Sequence, residues 1–178
     1  ASGGGAKSIH VWDTATGALA RTIPQAHTNF VPGVRFSPTD SRILASAGID
    51  GLILLWDVDS GEKIKSFEGC ALAVLSPDGF TIATARASVA GDISTLAGDV
   101  LLIDVETGTV RVRLSDHRGY VSTASFSTGG SKIASGSLDG TCKVWDTSTG
   151  ALLRTIELGA GHVMSVSWGR DWVRDTQT

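Results

Sequence analysis

Residues 45–57 read ASAGIDGLILLWD, and residues 134–146 read ASGSLDGTCKVWD. Both open on Ala-Ser, turn on Asp-Gly and close on Trp-Asp. Residues 1–13, ASGGGAKSIHVWD, share the two ends. A second motif follows each close: TGALARTI (16–23), SGEKIKSF (60–67), TGTVRVRL (107–114) and TGALLRTI (149–156). The third of these follows Ile103-Asp104 in place of Trp-Asp. Trp12, Trp56, Ile103 and Trp145 are spaced by 44, 47 and 42 residues. A period of that size marks an array of units that bury their apolar faces only against one another.

Each unit reads as four short strands. In 31–67, Val31–Phe36 is a strand that stops at Ser37-Pro38, and Arg42–Ala47 is the next. Asp50-Gly51 supplies the hairpin turn, because glycine accepts positive φ there. Leu52–Val58 is nearly all apolar, as a strand covered on both faces should be. Ser60-Gly61 then turns the chain into Glu62–Phe67, whose alternating charge suits an outer edge. No useful helical periodicity occurs before residue 169. The fold class is therefore all-β.

Composition agrees and removes other classes. The chain has 178 residues, 42% apolar and 19% charged, with 22 glycines. That is globular rather than disordered. A net charge of −3 carries no clustered basic footprint for nucleic acid. No apolar run approaches the roughly 18 residues of a membrane span, and no signal-peptide pattern opens the sequence. Cys70 and Cys142 lie far apart and lack metal-ligand spacing. A reducing setting, cytoplasmic or nuclear, is the expectation.

The Trp-Asp ends, the Asp-Gly turns, the Ser-Pro turns at 37–38 and 76–77, and two upstream histidines resemble the WD40-repeat family over residues 1–168. The resemblance implies a β-propeller of four-stranded blades. The blade portions would be 1–23, 31–67, 70–114 and 121–157, with a final strand at 163–168 and a non-repeat tail at 169–178. It also implies a hydrogen-bonded tetrad inside a blade. His27, Ser46, Asp50 and Trp56 match His117, Ser135, Asp139 and Trp145, at intervals of 19, 4 and 6 residues and of 18, 4 and 6. Their chemistry suits such a chain, since Trp only donates, Asp only accepts, and Ser and neutral His do both.

The resemblance further implies a non-catalytic scaffold with no cofactor or metal. Its protein or peptide partner would sit on the loop rim around the central channel. Carried over, the rim positions are Phe30, Pro32 and Ile49; Tyr120, Ser122 and Leu138; and His162 and Met164. Two other roles are weighed beside this one: a structural portion of a larger scaffold that binds elsewhere, and a propeller hydrolase.

Several residues invite other readings. Ser, His and Asp together suggest a catalytic triad, but the set occurs twice at repeat spacing, and the serines lie within strands rather than on an exposed elbow. Residues 2–8, SGGGAKS, suggest a phosphate loop but lack its Gly-Lys-Ser/Thr core, and they align with an Asp-Gly hairpin. The Ile103 repeat departs most. Ala97 stands at its aspartate position, Thr84 replaces the serine, no histidine precedes it, and residues 87–97 are an insertion that serves either a function or only a longer hairpin. Counting strands gives sixteen. A four-bladed ring whose final strand completes the first blade, an arc of a larger ring, and self-association of two copies all remain open.

Overall fold

The computed structural model describes residues 1–5, 7–85, 98–159 and 161–169. These residues form antiparallel sheets and no helix. The first sheet pairs β1 (Ile9–Trp12) with β2 (Leu19–Ile23). The second runs in the order β3 (Gly33–Phe36), β4 (Ile43–Ala47), β5 (Leu52–Asp57) and β6 (Lys63–Glu68). The third contains β7 (Cys70–Leu75), β8 (Thr81–Ala85), β9 (Gly98–Asp104) and β10 (Val110–His117). The fourth contains β11 (Val121–Phe126), β12 (Lys132–Ser137), β13 (Thr141–Asp146) and β14 (Leu152–Glu157). Each full sheet is a meander in which every strand pairs with its sequence neighbour. This is the all-β blade architecture expected from the repeat. The 87–97 insertion, Ala97, Trp172 and the 170–178 stretch lie outside the described residues.

The turns follow from local chemistry. Gly51 and Gly140 close the β4–β5 and β12–β13 turns at φ of 84° and 82°, a region costly for any residue with a Cβ. The aspartate that ends each third strand organises the next turn. Asp13 Oδ1 accepts the backbone N–H groups of Ala15 and Thr16. Asp57, Asp104 and Asp146 accept the corresponding N–H groups of Ser60, Thr107 and Thr149. These hydrogen bonds favour the charged carboxylate. All four aspartates sit below the ordinary carboxyl range, Asp146 at about 2, where the Ser148 hydroxyl is the largest contributor.

Three apolar cores lie between successive sheets. Ile9, Val11 and Ile23 pack against Leu44, Leu54 and Trp56. Ile53, Leu55 and Phe67 pack against Ile82, Leu101 and Ile103. Val100, Leu102 and Leu114 pack against Ile133 and Trp145. The central strands β5 and β9 are buried on both faces, as their continuous apolar runs require. The first strands β3, β7 and β11 come together on one side. They share a cavity of about 210 Å³ with residues 164–165.

Three features differ from the sequence expectation. The first inner strand begins at Gly33 rather than Val31. Pro32 has no N–H to give to a ladder, and the Val31 N–H bonds the Gly4 carbonyl of the preceding repeat instead. The first sheet has two strands and an isolated Ser2↔His10 bridge, not three strands. The sixteen-strand count therefore needs correcting, and so does the strand at 163–168. That stretch forms no ladder. Its N–H groups go to a carbonyl and two hydroxyls of the neighbouring sheet: Val163 to Ser137 O, Val166 to Thr123 Oγ1 and Trp168 to Ser125 Oγ.

Candidate functional site

The two polar tetrads come from strands and turns the repeat places together. Ser46 lies on β4, Trp56 on β5, Asp50 in the turn between them, and His27 on the loop before β3. Trp56 Nε1 donates to Ser46 Oγ at 2.8 Å, and His27 Nε2 lies 2.7 Å from the same oxygen. His27 Nδ1 lies 3.0 Å from Asp50 Oδ1. The second set repeats the pattern: Trp145 to Ser135 at 2.8 Å, His117 Nε2 to Ser135 at 2.7 Å, and His117 Nδ1 to Asp139 at 3.0 Å.

The donors can be assigned by elimination. An ionised carboxylate only accepts, so Nδ1 carries the imidazole proton. The indole N–H only donates, so Ser Oγ accepts it and passes its own proton toward Nε2. Each chain therefore runs Trp to Ser to His to Asp. Every buried side-chain nitrogen and oxygen among the described residues has a partner, which removes the desolvation cost of an unmet polar group.

The aspartates carry more than the histidine contact. Asp50 also accepts the Thr28 N–H at 2.8 Å. Asp139 accepts the Arg118 N–H at 2.8 Å and the Thr141 hydroxyl at 2.7 Å. Burial pushes both carboxyls upward, but these donors outweigh it, and both sit below the ordinary range, Asp139 strongly so. Burial pulls His117 below its ordinary value against the opposing pull of Asp139, which favours the neutral ring the hydrogen-bond chain needs.

The serines are not presented as nucleophiles. Ser46 and Ser135 are fully buried, and each hydroxyl is engaged on both sides. What the arrangement does chemically is fasten the second and third strands to the preceding loop.

The other two repeats carry less. In the first, Trp12 Nε1 donates to Ser2 Oγ at 3.0 Å. This Trp–Ser half of a tetrad was not singled out in the sequence, although Ser2 aligns with Ser46 and Ser135. In the third, Thr84 is fully buried and its hydroxyl bonds the adjacent Ala85 carbonyl at 3.2 Å. Ile103 fills the tryptophan position within the apolar core.

The rim positions fall into three groups. Pro32, Ser122 and Met164 line the cavity between the inner strands. Leu138 and His162 line a separate open cavity of about 470 Å³, together with Asp139, Gly140, Gly159 and Gly161. Phe30 and Tyr120 sit on equivalent loops. The Ile49 N–H donates to the Phe30 carbonyl and the Leu138 N–H to the Tyr120 carbonyl, both at 2.9 Å. Phe30, Pro32, His162 and Met164 are exposed, and Ile49, Tyr120, Ser122 and Leu138 are half-buried. Among the described residues no cluster of His, Cys, Asp and Glu could hold a metal ion. No helix there is long and apolar enough to cross a membrane.

Four-stranded meanders packed face to face in succession, with a Trp–Ser–His–Asp chain inside a blade, define a propeller-repeat protein. The family model described as "WD domain, G-beta repeat" matches residues 17–57 and 108–146. The chain belongs to the WD40-repeat family. It is 27% identical over 169 residues to "Autophagy-related protein 16" of Arabidopsis thaliana, covering 93% of this chain and 31% of that protein. It is 32% identical over 192 aligned positions to "Nuclear distribution protein PAC1" of Arthroderma otae, covering 97% of this chain and 41% of that protein. With "U3 small nucleolar RNA-associated protein 21 homolog" of Schizosaccharomyces pombe, identity is 30% over 119 residues, 65% of this chain and 12% of that protein. The chain thus spans less than half the length of each of these relatives.

Proposed function

We propose that the chain is a non-catalytic interaction scaffold that takes a protein or peptide partner on the rim formed by Phe30, Ile49, Tyr120, Leu138, His162 and Met164, with Pro32 and Ser122 at the channel mouth. One observation carries this reading. Phe30–Ile49 and Tyr120–Leu138 are held by the same backbone hydrogen bond in two repeats, and apolar side chains remain accessible at that end. Apolar groups exposed on a fixed backbone mark contact surfaces, because binding them loses little conformational entropy. The tetrads support the rim from below, since Asp50 and Asp139 anchor the loops that carry Phe30 and Tyr120 through the Thr28 and Arg118 N–H groups.

A cytoplasmic or nuclear setting fits the free thiol of Cys142. The test is selection from a displayed peptide library on the immobilised chain, followed by measurement of the selected peptides against a Phe30→Ala/Tyr120→Ala variant. The expected result is at least a tenfold loss of affinity with a melting temperature lowered far less than by Ser135→Ala. Equal affinity for the variant rejects the rim. Hydrolase activity lost in Ser46→Ala would favour an enzyme instead.

A further inference from the structure

Two of the joints between sheets carry a polar latch at the end opposite the Asp-Gly turns, and the third does not. Arg21 on β2 donates from Nη1 to the Ser60 carbonyl at 3.1 Å and from Nη2 to the Asp59 carbonyl, on the turn after β5. Lys65 on β6 reaches the Val105 and Glu106 carbonyls at 2.8 and 2.7 Å, on the turn after β9. The motifs TGALARTI, SGEKIKSF and TGTVRVRL put Val112 of β10 at the place of Arg21 and Lys65. The packing agrees. A Cβ on Gly61 would stand 3.1 Å from Arg21 Nη1, and one on Gly150, the equivalent glycine, 2.8 Å from Val112 Cγ1. Val112 therefore sits on the turn after β13 as Arg21 sits on the turn after β5, but without a charge.

That turn presents the same backbone as the two latched ones. The Gly61, Gly108 and Gly150 N–H groups bond the Asp57, Asp104 and Asp146 carbonyls at 2.8, 2.9 and 2.9 Å, with φ of 78°, 75° and 75°. Asp59 and Glu106, whose carbonyls are taken in the latched joints, correspond to Ser148. Among the described residues no side chain donates to the Thr147 or Ser148 carbonyl. The turn is nevertheless fixed. The Thr147 N–H bonds the Ser131 carbonyl at 3.1 Å, and the Thr147 hydroxyl bonds the Gly130 carbonyl at 2.7 Å.

A cavity of about 260 Å³ opens there, between the third and fourth sheets. Phe126, Ser131, Thr147 and Ser148 of the fourth repeat and Asp78 and Arg111 of the third line it. Asp78 accepts the Ser76 hydroxyl at 2.5 Å and the Phe80 N–H at 3.0 Å, which keep it a carboxylate. Arg111 Nη1 lies 3.8 Å from Asp104, so its charge serves that carboxylate and not the carbonyls of the turn. The cavity thus offers peptide carbonyls, a carboxylate and a serine hydroxyl, an acceptor set that fits a cationic donor. It is smaller than the roughly 300–1,000 Å³ of pockets for drug-sized ligands and suits one long side chain.

We infer that this cavity takes a lysine or arginine side chain of a partner protein, whose cationic head supplies the latch that Val112 omits. Its N–H groups donate to the Thr147 and Ser148 carbonyls as Lys65 donates to Val105 and Glu106, and Asp78 balances the charge. One internal precedent is a lysine and the other an arginine, so either head serves. Phe126 gives the alkyl stem apolar surface to cover. The turns after β7, β11 and β13 that build the cavity lie at the end of each sheet opposite the Asp-Gly turn. The site therefore faces away from the proposed rim and does not rest on it.

The test is an amide chemical-shift titration of the chain with capped tripeptides, acetyl-Gly-X-Gly-amide with lysine, arginine or norleucine at X, and with n-butylammonium chloride. The lysine and arginine peptides should shift the Ser131, Thr147 and Ser148 amides saturably. The norleucine peptide should bind at least tenfold more weakly, and n-butylammonium more weakly than the lysine peptide. Val112→Lys supplies the latch internally and should weaken the lysine peptide at least tenfold, whereas the uncharged Val112→Met stays within threefold of the parent. The norleucine comparison is made on the parent and holds whether or not a variant folds. Arg111→Gln should bind at least as tightly as the parent, because a like charge leaves. Phe30→Ala/Tyr120→Ala should bind as the parent does, so a failed rim and a failed cavity are told apart. No saturable shift with either basic peptide, norleucine binding as tightly as lysine, or undiminished binding in Val112→Lys overturns the inference. It is also overturned if n-butylammonium matches the lysine peptide, which makes this a small-amine site, or if Arg111→Gln weakens binding, which makes it an anion site.

Discussion

The 70–114 and 121–157 blades share a fold and solve the same problem differently. The second carries the chain Trp145–Ser135–His117–Asp139, and Thr141 adds further bonds to Asp139 and to His117 Nδ1. The first has Ile103 where the indole would be and Thr84 where the serine would be, and it relies on Ile82, Leu101 and Ile103 packing on the sheet before it. Apolar burial is strong but non-directional. A satisfied polar chain adds direction, and the cost of an unmet group punishes any other arrangement. The array therefore needs apolar contacts at every joint, and polar chains only where a loop must be held in one place. The loops so held, before β3 and β11, carry Phe30 and Tyr120.

Substitutions sharpen that contrast. Trp145→Ala has the largest expected effect, about 3–5 kcal/mol, because it opens a large cavity and takes the indole donor from Ser135. Ile103→Ala should cost about 2–5 kcal/mol through the cavity alone. Denaturant titrations of both report the order, and a costlier Ile103→Ala would break the comparison. Ser135→Ala strands two buried groups, Trp145 Nε1 and His117 Nε2, so roughly 1–3 kcal/mol of destabilisation is expected. Thr84→Val loses one local bond to the adjacent carbonyl and strands no other side chain, so it should stay within about 1 kcal/mol. Equal losses for this pair would mean that the hydroxyl, rather than the chain it belongs to, is what matters.

Acid should act in two stages. His117 has its folded value lowered by burial, so protons favour the unfolded chain once the pH falls below about 6.5. The carboxylates are also depressed in the fold, and their contribution is complete above an ordinary value of 3.8. It is lost as pH falls toward their folded values, about 2 for Asp146 and lower for Asp139. A melting temperature that declines modestly from pH 7 to 5 and steeply from pH 4 to 2 is expected by calorimetry. A flat profile would contradict the tetrad electrostatics. The smallest stability effect, within about 0.5 kcal/mol, is expected at Phe30→Ala, because the side chain is exposed.

The fold was legible because the repeat states its pattern several times. Asp-Gly placed the β4–β5 and β12–β13 turns, and the apolar run at 52–58 placed β5 in the interior. Residues 31–32 misled because a proline's missing donor outweighs an extended pattern. The 163–168 segment misled because its sequence carries a strand pattern whichever partner it meets. The Trp12–Ser2 pair was within reach of the alignment but was hidden by the missing histidine and aspartate. The latches of Arg21 and Lys65 had no sequence signal, since they bond backbone carbonyls 38 to 41 residues away and any residue offers a carbonyl. The turn-organising role of the Trp-Asp aspartate is not legible in the pair itself, because it depends on which backbone N–H groups the following turn presents to the carboxylate.

The proposed binding rim should be separable from the tetrads beneath it. The most direct test is a two-axis measurement on one panel: affinity for a library-selected peptide by calorimetric titration, and melting temperature for the same samples. Phe30→Ala/Tyr120→Ala should lose at least tenfold in affinity while melting closer to the parent than Ser135→Ala does, and Thr84→Val should keep the parent's affinity. Full affinity in the rim variant, or peptide binding that falls only in proportion to lost stability, would contradict it.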